Sequence, residues 1–526
     1  MSLFALPWLE LSVLVPLAGG LCVGWVRNPA AALRWCLAFS GGTLACTLLV
    51  FAGQCSGVAA TGASPWDLQL RLFGTRWLEV DALSAPLLPL VALLHLLTAL
   101  TTARTKMARF SFAWMLSGES LRVAAFACKA PWLLIGLLLA GAALTYLELV
   151  RRGKPTRVYV LHMGLFVVFL VGGWACLDRA IPVQSAEVAS ILLLAAVLVR
   201  SGTVPVHAWV TDLFEHASFG TALLVATPIT GAYLAVRLVL PVAPDWVLAG
   251  ISAVSLVTAC YAAGMAVVQT EARRFFAFLF LSHASLVLVG MELHTPISLT
   301  GALFVWMSVA LSLGGLGLTL RALEARFGRL PLTRFLGLYD HAPTLAVCFL
   351  LTGLGSVGFP GTLGFVGAKL LVDGAIDADS AVGAVVVLTA AVNSIAVVRA
   401  YFLLFTGGRH FSSVSLAITW RERVAVLTLA LLIVGGGLVP QPGVVSRYQA
   451  AETILKERAS RRPPAEAELP GGFGPQAAMS DSRAGPVCSP TANSSRTRTS
   501  PATGTPLVPS PPALCLPARF RRCVPR

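Results

Sequence analysis

The chain has 526 residues, of which 56% are hydrophobic and only 12% are charged, and its formal net charge is +15. A soluble globular protein carries about 25% charged residues, so this composition excludes an ordinary soluble domain. Apolar runs of about 20 residues recur along most of the chain, the length that a helix needs to cross ~30 Å of hydrocarbon. We therefore predict an all-α fold, a polytopic transmembrane helical bundle in contact with the lipid bilayer.

About fourteen membrane spans are predicted. The first lacks a basic leading segment and a small-residue cleavage site, which favours a retained span over a removed signal. The fourth is the weakest, because Glu119 and Arg122 interrupt it. The predicted ranges are 9–26, 32–51, 82–102, 108–127, 131–150, 157–176, 188–213 (broken), 217–238, 246–268, 273–291, 298–320, 342–376 (broken), 381–405 and 422–440.

Basic residues collect in alternate loops between these spans. Arg151, Arg152 and Lys154 follow the fifth span, and Arg273 and Arg274 fall in a loop on the same side. By the positive-inside rule this side is cytoplasmic, so both termini are predicted to lie outside. Because the positive charge is spread over short loops and a polar tail, we expect no nucleic-acid partner.

The chain divides into four predicted segments. Residues 1–107 hold the first three spans, residues 108–405 form a core, and residues 406–458 hold the last span and its flank. Residues 459–526 are rich in Pro, Ser and Arg without a sustained apolar period, so we predict a disordered tail and assign it no function.

Cofactor-binding patterns are absent from the sequence. The 11 cysteines are scattered without a C-x-x-C pair, which argues against iron–sulfur and zinc sites. No glycine-rich nucleotide loop, haem pair or serine triad is placed to work. We therefore expect no cofactor, no metal and no catalytic residue, and any redox chemistry would belong to partner subunits.

Two spans carry helix-breaking residues near 200–213 and 358–368. The first contains Pro205, and the second contains Pro360, Gly361 and Gly364. Proline removes a backbone donor and glycine favours unwinding, so both sites predict discontinuous helices. A bilayer tolerates such breaks only where they are buried in protein or line a cavity.

Five stretches in order resemble the antiporter-like, proton-pumping membrane subunits of respiratory complex I, with relatives in Mrp-type antiporters and membrane-bound hydrogenases. Three match strongly: LEVDALSAPL (Leu78–Leu87), PVHAWVTD (Pro205–Asp212) and GSVGFPGTLGFVGAKL (Gly355–Leu370). Two match more weakly: YLEL (Tyr146–Leu149) and TEARRFFAFLFLSHASLVLVG (Thr270–Gly290). The family includes NADH-quinone oxidoreductase chains 4 and 5.

The resemblance implies a specific architecture. Spans four to eight and nine to thirteen would form two inverted five-helix repeats, each with one discontinuous helix. Broken helices in corresponding places of two repeats mark the ion site in many transporters.

The resemblance also implies a proton path. In the family a Glu in the fifth span pairs with a Lys beside the first break, and here Glu148 and Arg200 take these places. Arginine stays charged in proteins, so Arg200 fits a fixed partner of Glu148, or a structural salt bridge, better than a relay. The family's Lys or His of the eighth span is missing between His216 and Arg237. Glu148 could alternatively be a span-end carboxylate near Arg152.

Further residues match family positions. His207 and His283 could relay protons near neutral pH or act as structural donors. Lys369 lies one residue after the family's terminal ionisable position, and its long stem could reach the same cavity or end in the headgroups. Trp209 and Asp212 are predicted to stabilise the first break, as an indole donor and a short acid at a helix end.

The predicted function is translocation of protons, or Na⁺, by a non-redox subunit of an NADH:quinone oxidoreductase-like complex in a bacterial inner membrane. Its partners would be other membrane subunits. Two alternatives stay open. One is the cation-conducting membrane subunit of an inorganic-carbon uptake system, paired with a large peripheral zinc-containing subunit. The other is a non-transporting scaffold.

Overall fold

The computed structural model describes residues 6–56, 69, 74–178, 183–292, 295–408 and 418–461. Within these ranges the chain is almost entirely helical, and the only β structure is two isolated bridges, Leu78 with Cys128 and Glu271 with Pro331. The predicted all-α membrane bundle is therefore confirmed.

The described residues form a series of helices along the chain. They are α1 (Trp8–Gly24), α2 (Pro29–Cys55), α3 (Leu87–Leu100), α4 (Phe112–Ala127), α5 (Pro131–Arg151), α6 (Arg157–Asp178), α7 (Val183–Ser201), α8 (Ala208–His216), α9 (Phe219–Ala226), α10 (Thr230–Leu234, continued by a π-helical turn Ala235–Val239), α11 (Asp245–Val268), α12 (Ala272–Glu292), α13 (Pro296–Phe327), α14 (Pro343–Ser356), α15 (Leu363–Ala378), α16 (Ser380–Phe405), α17 (Trp420–Leu438) and α18 (Gln441–Arg461).

Each of the fourteen predicted spans overlaps helical structure. Eight helical segments of the described chain are long and apolar enough to cross a membrane, or nine if the bent pair α17 and α18 counts as one span. The difference arises because α1, α3 and α14 are shorter than a full span and because several spans are split at breaks. The count of fourteen and the inverted repeats stay predictions.

The helices divide into inner and outer ones. The segments Phe219–Val239, Ala272–Met291 and Pro296–Phe327 are each 94% buried over their most apolar stretch, whereas Arg157–Leu177 is 22% buried. An outer helix of this kind leaves its apolar side chains for lipid, while the inner helices are covered by protein all round. The centre of the bundle is therefore α9–α10, α12 and α13.

Both predicted breaks are present. The first separates α7 from α8 at residues 202–207, and the second separates α14 from α15 at residues 357–362. At the second break Gly358 and Gly361 have positive φ angles, +81° and +83°, which glycine adopts without strain. A Cβ on Gly364 would lie 1.9 Å from the carbonyl oxygen of Gly355, so only glycine lets the two half-helices approach this closely.

A third break was not predicted. The eighth span is interrupted between α9 and α10, where Ile229 has a left-handed backbone (φ 47°) directly after Pro228. The Trp306 indole on α13 donates a hydrogen bond of 3.1 Å to the Pro228 carbonyl. The sequence around this break is apolar, and a single proline in a span predicts a kink without showing whether the helix is interrupted there.

The last helix, α18, is also not among the predicted spans. It is bent 80° from α17 and runs to Arg461, two residues beyond the predicted start of the tail. Residues 462–526, on which the prediction of disorder rests, lie outside the described residues. Two buried arginines attach α18 to the bundle: Arg447 donates to the carbonyls of Leu83 (3.1 Å) and Ala82, and Arg458 donates to Leu240 and to Asp245 (2.8 Å).

This attachment predicts a stability effect. Arg447→Ala removes the charged donor from two buried carbonyls and should lower the free energy of unfolding by about 2–4 kcal/mol. The measurement is thermal unfolding of the detergent-solubilised protein. Arg461→Ala, an exposed arginine on the same helix, is the control and should leave the midpoint unchanged. Equal midpoints for the two variants would contradict the assigned role of Arg447.

Candidate functional site

An open pocket of about 310 Å³ lies at one end of the bundle. Its walls carry six Lys and Arg side chains but only two carboxylates, so its lining is net positive. All six cations fall in loops or helix ends that the sequence places on the cytoplasmic side. They are Lys106, Arg152, Lys154, Arg273, Arg321 and Arg329, and the two acids are Glu215 and Glu324.

Part of this charge is already matched. Arg273 forms a bidentate pair with Glu324 (2.5 and 2.7 Å), and Glu215 pairs with Arg274 at 2.7 Å. The hydrogen bonds from Arg274 lower the pKa of the Glu215 carboxyl. Arg321 has no carboxylate partner in the described part of the chain. It donates instead to the Thr98 carbonyl and to two threonine hydroxyls.

A chain of hydroxyl groups leads from this pocket to Glu148. Ser218 lines the pocket, and its hydroxyl lies 2.7 Å from that of Thr221. Thr221 donates a hydrogen bond of 2.7 Å to Glu148 Oε1. Serine and threonine hydroxyls both donate and accept, so this chain can pass a proton between water in the pocket and the Glu148 carboxylate.

Glu148 does not pair with Arg200, and that expectation was wrong. Its carboxylate pairs with Arg152, one turn further along α5, at 2.9 Å. Arg152 is the partner of Glu148 because residues four apart on a helix lie on the same face, whereas Arg200 lies on α7. The Arg152 contact agrees with a span-end carboxylate, whereas the Thr221 bond connects Glu148 to the bundle.

A second, smaller cavity lies on the inner side of Glu148. Its volume of about 20 Å³ has room for roughly one water molecule. Thr145, Glu148 and Thr221 line it, together with Arg122 of α4. The cation that shares a cavity with Glu148 is therefore Arg122.

Arg200 is held by aromatic rings. Its guanidinium lies 5.4 Å from the ring centre of Trp209 and 5.9 Å from that of Phe166, distances at which a cation is attracted to a ring face. It forms no ion pair with any residue that the structure describes, and its buried Nε has no hydrogen-bond partner. Arg200 is thus a fixed charge beside the first break.

The other residues of the first break have separate roles. The Trp209 indole donates to the Val199 carbonyl at 2.9 Å, and so satisfies a carbonyl at the end of α7. Asp212 lies inside α8 and pairs with His216 at 3.1 Å, so it caps no helix end. The His207 ring lies edge-on to Tyr261, 5.5 Å between centres, and its buried Nδ1 has no partner.

The second half of the bundle has its own polar cavity, of about 40 Å³. His283 lines it, with Ser308, Ser356 and Asn393; the Ser308 hydroxyl and the Asn393 amide oxygen are buried without partners. Polar atoms of this kind in a cavity of this size can hold water.

His283 lies between two backbone carbonyls. Nδ1 is 2.8 Å from the Leu279 oxygen, and Nε2 is 2.9 Å from the Ser356 oxygen at the end of α14. A neutral imidazole has one N–H, so only the protonated ring can donate to both oxygens. Proton uptake by His283 would therefore add a hydrogen bond at the second break.

Lys369 does not reach this cavity, which corrects the prediction. The cavity is lined by Ala368, and the next residue points to another face because a helix turns about 100° per residue. Lys369 instead pairs with Asp373 at 2.8 Å on an exposed face of α15. Pro360 and Gly361 lie in the break itself, as predicted from the sequence.

Three interior polar residues are not among the predicted site residues: His95 and Glu119 are fully buried, and Arg122 is half-buried. Glu119 and Arg122 on α4 were noted only as interruptions of a weak span, and His95 on α3 was passed over. All three lie in the bundle interior, where Arg122 Nη1 is 3.1 Å from His95 Nε2. The available signal was their presence in an apolar span, since an ionisable group inside a membrane is functional by default. Among the described residues there is no cluster of His, Cys, Asp and Glu that could hold a metal.

The chain is similar to known proteins over most of its length. Residues 158–394 match a family described as NADH:quinone oxidoreductase/Mrp antiporter, TM. NADH-quinone oxidoreductase subunit M of Pseudomonas aeruginosa is 26% identical over 83% of this chain and 94% of its own. NAD(P)H-quinone oxidoreductase chain 4 2 of Thermosynechococcus vestitus is 24% identical over 88% and 94%.

Two solved structures share the fold. A chain of the Mrp complex from Dietzia sp. superposes with a TM-score of 0.77 at 20% identity, covering 88% of this chain and 99% of that one. A chain of respiratory complex I from Thermus thermophilus gives 0.75 at 22% identity, covering 86% and 99%. Residues 158–394, which include the motifs at Pro205–Asp212 and Gly355–Leu370, are thus similar to the antiporter-like membrane subunits of NADH:quinone oxidoreductases and Mrp antiporters, and the two solved structures show that the chain shares their fold.

Proposed function

We propose that the chain is a proton-translocating membrane subunit of an NADH:quinone oxidoreductase-like complex. Relatives named as subunit M and chain 4 of such enzymes align with it over 94% of their own sequences. The observation that carries the proposal is the hydroxyl chain from the open pocket through Ser218 and Thr221 to Glu148.

Proton uptake along this chain balances at each step. Thr221 passes its hydroxyl proton to Glu148 and receives the hydroxyl proton of Ser218. Ser218 then receives a proton from water in the pocket. The net positive lining of the pocket disfavours hydrated Na⁺, because rings of like charge repel ions of that sign. A proton exchanged along hydrogen bonds needs no free cation in the pocket.

Translocation beyond Glu148 needs a second exchange site and an energy source. His283 is the residue that we propose for the second half, because its protonation adds a hydrogen bond to the Ser356 carbonyl. Arg200 would act only as a fixed charge, and His207 stays a candidate relay. Energy would come from a neighbouring subunit through shifts in charge pairing.

The surroundings of Lys369 support a protein neighbour. Lys369 and Asp373 are 61% and 45% exposed on α15, and Phe365 and Ile376 are exposed on the same face. A charged pair in the middle of an apolar helix is costly against lipid and is tolerated against protein. We therefore propose that another membrane subunit covers this face, in a bacterial inner membrane with both termini of this chain outside.

Glu148→Gln tests the proposed function. It keeps the hydrogen bond from Thr221 but cannot take up a proton, so translocation should fall at least about a hundredfold, the lower range for a positioned proton-transfer group. The measurement is a pH-sensitive dye in inverted membrane vesicles that hold the native complex. Glu79→Gln, an exposed carboxylate paired with Lys129, is the control. Wild-type translocation by an assembled Glu148→Gln complex would refute the proposal.

The hydroxyl chain makes a separate prediction. Thr221→Val keeps the shape of the side chain and removes the donor to Glu148. Because a hydrogen bond to a charged group contributes about 1.5 kcal/mol or more, the translocation rate should fall about tenfold. Thr428→Val on α17, whose hydroxyl bonds only within its own helix, is the control. An unchanged rate in Thr221→Val would mean that protons reach Glu148 by another route.

Co-purification tests the partner. The wild-type chain should retain membrane subunits of an NADH:quinone oxidoreductase-type complex, and the double variant Lys369→Met/Asp373→Leu should retain less of the neighbour. Glu452→Leu/Lys456→Met, an exposed pair of the same spacing on α18, is the control. Recovery of a large peripheral zinc-containing protein would instead favour the inorganic-carbon alternative.

A further inference from the structure

Glu119 is a carboxyl group in the interior of the bundle with a single hydrogen-bond partner in the described residues. It lies in the middle of α4, and its side chain is fully buried. Oε1 accepts one hydrogen bond, 3.1 Å, from the Ser40 hydroxyl of α2, and Oε2 has no partner. Within the described chain no Lys or Arg nitrogen lies within 4 Å of it. A buried carboxylate without a cation is costly, so the neutral, protonated form fits this arrangement.

Arg122 lies one turn further along the same helix and is a cation without a carboxylate partner within 4 Å among the described residues. Its guanidinium can only donate, so the 3.1 Å contact with His95 makes His95 Nε2 the acceptor. His95 Nδ1 then carries the hydrogen and donates to the Val91 carbonyl at 2.8 Å. His95 is therefore neutral, and Arg122 is a half-buried cation that contacts a neutral ring.

The two carboxyls, Glu119 and Glu148, both interact electrostatically with Arg122. Glu119 precedes it by three residues on α4, and Glu148 lines the same small cavity from α5. Gly118 leaves room for the guanidinium, because a Cβ there would lie 2.7 Å from Nη1. The Arg122 guanidinium therefore packs against the backbone of Gly118, one residue before Glu119.

We propose that Glu119 is a second proton-exchanging carboxyl and that Arg122 is a counter-charge shared between Glu119 and Glu148. This inference rests on the proposed function. When Glu148 takes up a proton from Thr221, it loses its negative charge. Arg122 then turns from His95 to Glu119, and Glu119 passes its own proton to the His95 Nε2 atom that this movement uncovers.

The exchange balances. One proton arrives at Glu148 and one leaves from Glu119, so the protons held by the two carboxyls and their summed charge are unchanged. Besides Arg122, the groups that face Glu119 are Ser40 and Cys36 of α2. Besides the two carboxyls, the groups that face Arg122 are His95 of α3, Tyr159 of α6 and Arg200 of α7. Arg152 stays on the outer side of Glu148 throughout.

The decisive experiment compares Glu119→Gln with Glu148→Gln in inverted vesicles that hold the native complex. Glu119→Gln should slow proton translocation about tenfold, the effect of losing roughly one charge-assisted contact. Infrared spectra should show a protonated-carboxyl band that changes during turnover in the wild type and is missing in Glu119→Gln. Glu79→Gln should keep both the rate and the band.

The outcomes separate the two proposals. If Glu148→Gln translocates normally, the proposed function fails. If Glu148→Gln is inactive while Glu119→Gln keeps the wild-type rate and the wild-type band, only the role of Glu119 is refuted.

A second variant tests the shared counter-charge if the Glu119→Gln complex does not assemble. Gly118→Ala keeps every charge and crowds Arg122 Nη1, so it should slow translocation about tenfold and leave the carboxyl band unresponsive to turnover. Gly136→Ala on α5, where a Cβ meets nothing within 4 Å, is the matched control. A wild-type rate in assembled Gly118→Ala would overturn the shared counter-charge.

Discussion

Helix breaks inside an apolar bundle depend on donors that reach the freed carbonyls, because no bulk water is there to replace the lost backbone bonds. In this protein a ring nitrogen contacts a carbonyl at each of three breaks: Trp209 at Val199, Trp306 at Pro228 and His283 at Ser356. Two of these rings are indoles, which only donate. The third is an imidazole, which can also take up and release a proton. The second-half break is therefore the one whose geometry can respond to protonation.

The same constraint explains where the positive charges lie. Interior arginines contact carboxylates at the pocket, backbone carbonyls along α18, the neutral His95 ring, or aromatic rings at the first break. Arg200, at the position where the resemblance implies a lysine, belongs to the last group and has no acid partner in the described residues. The cation that faces Glu148 across a cavity comes from α4 instead. A permanently charged side chain beside the break thus leaves proton exchange to carboxyl, hydroxyl and imidazole groups.

Much of the site could be predicted from short sequence patterns, and some of it could not. Pro205, Pro360 and the glycines around it indicated two breaks, and the YLEL stretch indicated Glu148. The partner of Glu148 was predicted wrongly, since Arg152 and Thr221 take the place given to Arg200. Lys369 illustrates the limit most simply: one residue of register decides whether a helical side chain enters a cavity or leaves the bundle.

The sequence by itself determined that this chain is a helical membrane protein, because runs of about 20 apolar residues have few other stable structures in or out of a bilayer. It also determined two of the three helix breaks, since proline and glycine act on their own backbone. Only the tertiary structure decided which polar groups meet. Ser40 with Glu119, His95 with Arg122 and Thr221 with Glu148 are contacts between different helices, 79, 27 and 73 residues apart. Such contacts depend on which helix faces pack together, and a one-dimensional pattern of apolar residues does not specify that when nearly every face is apolar.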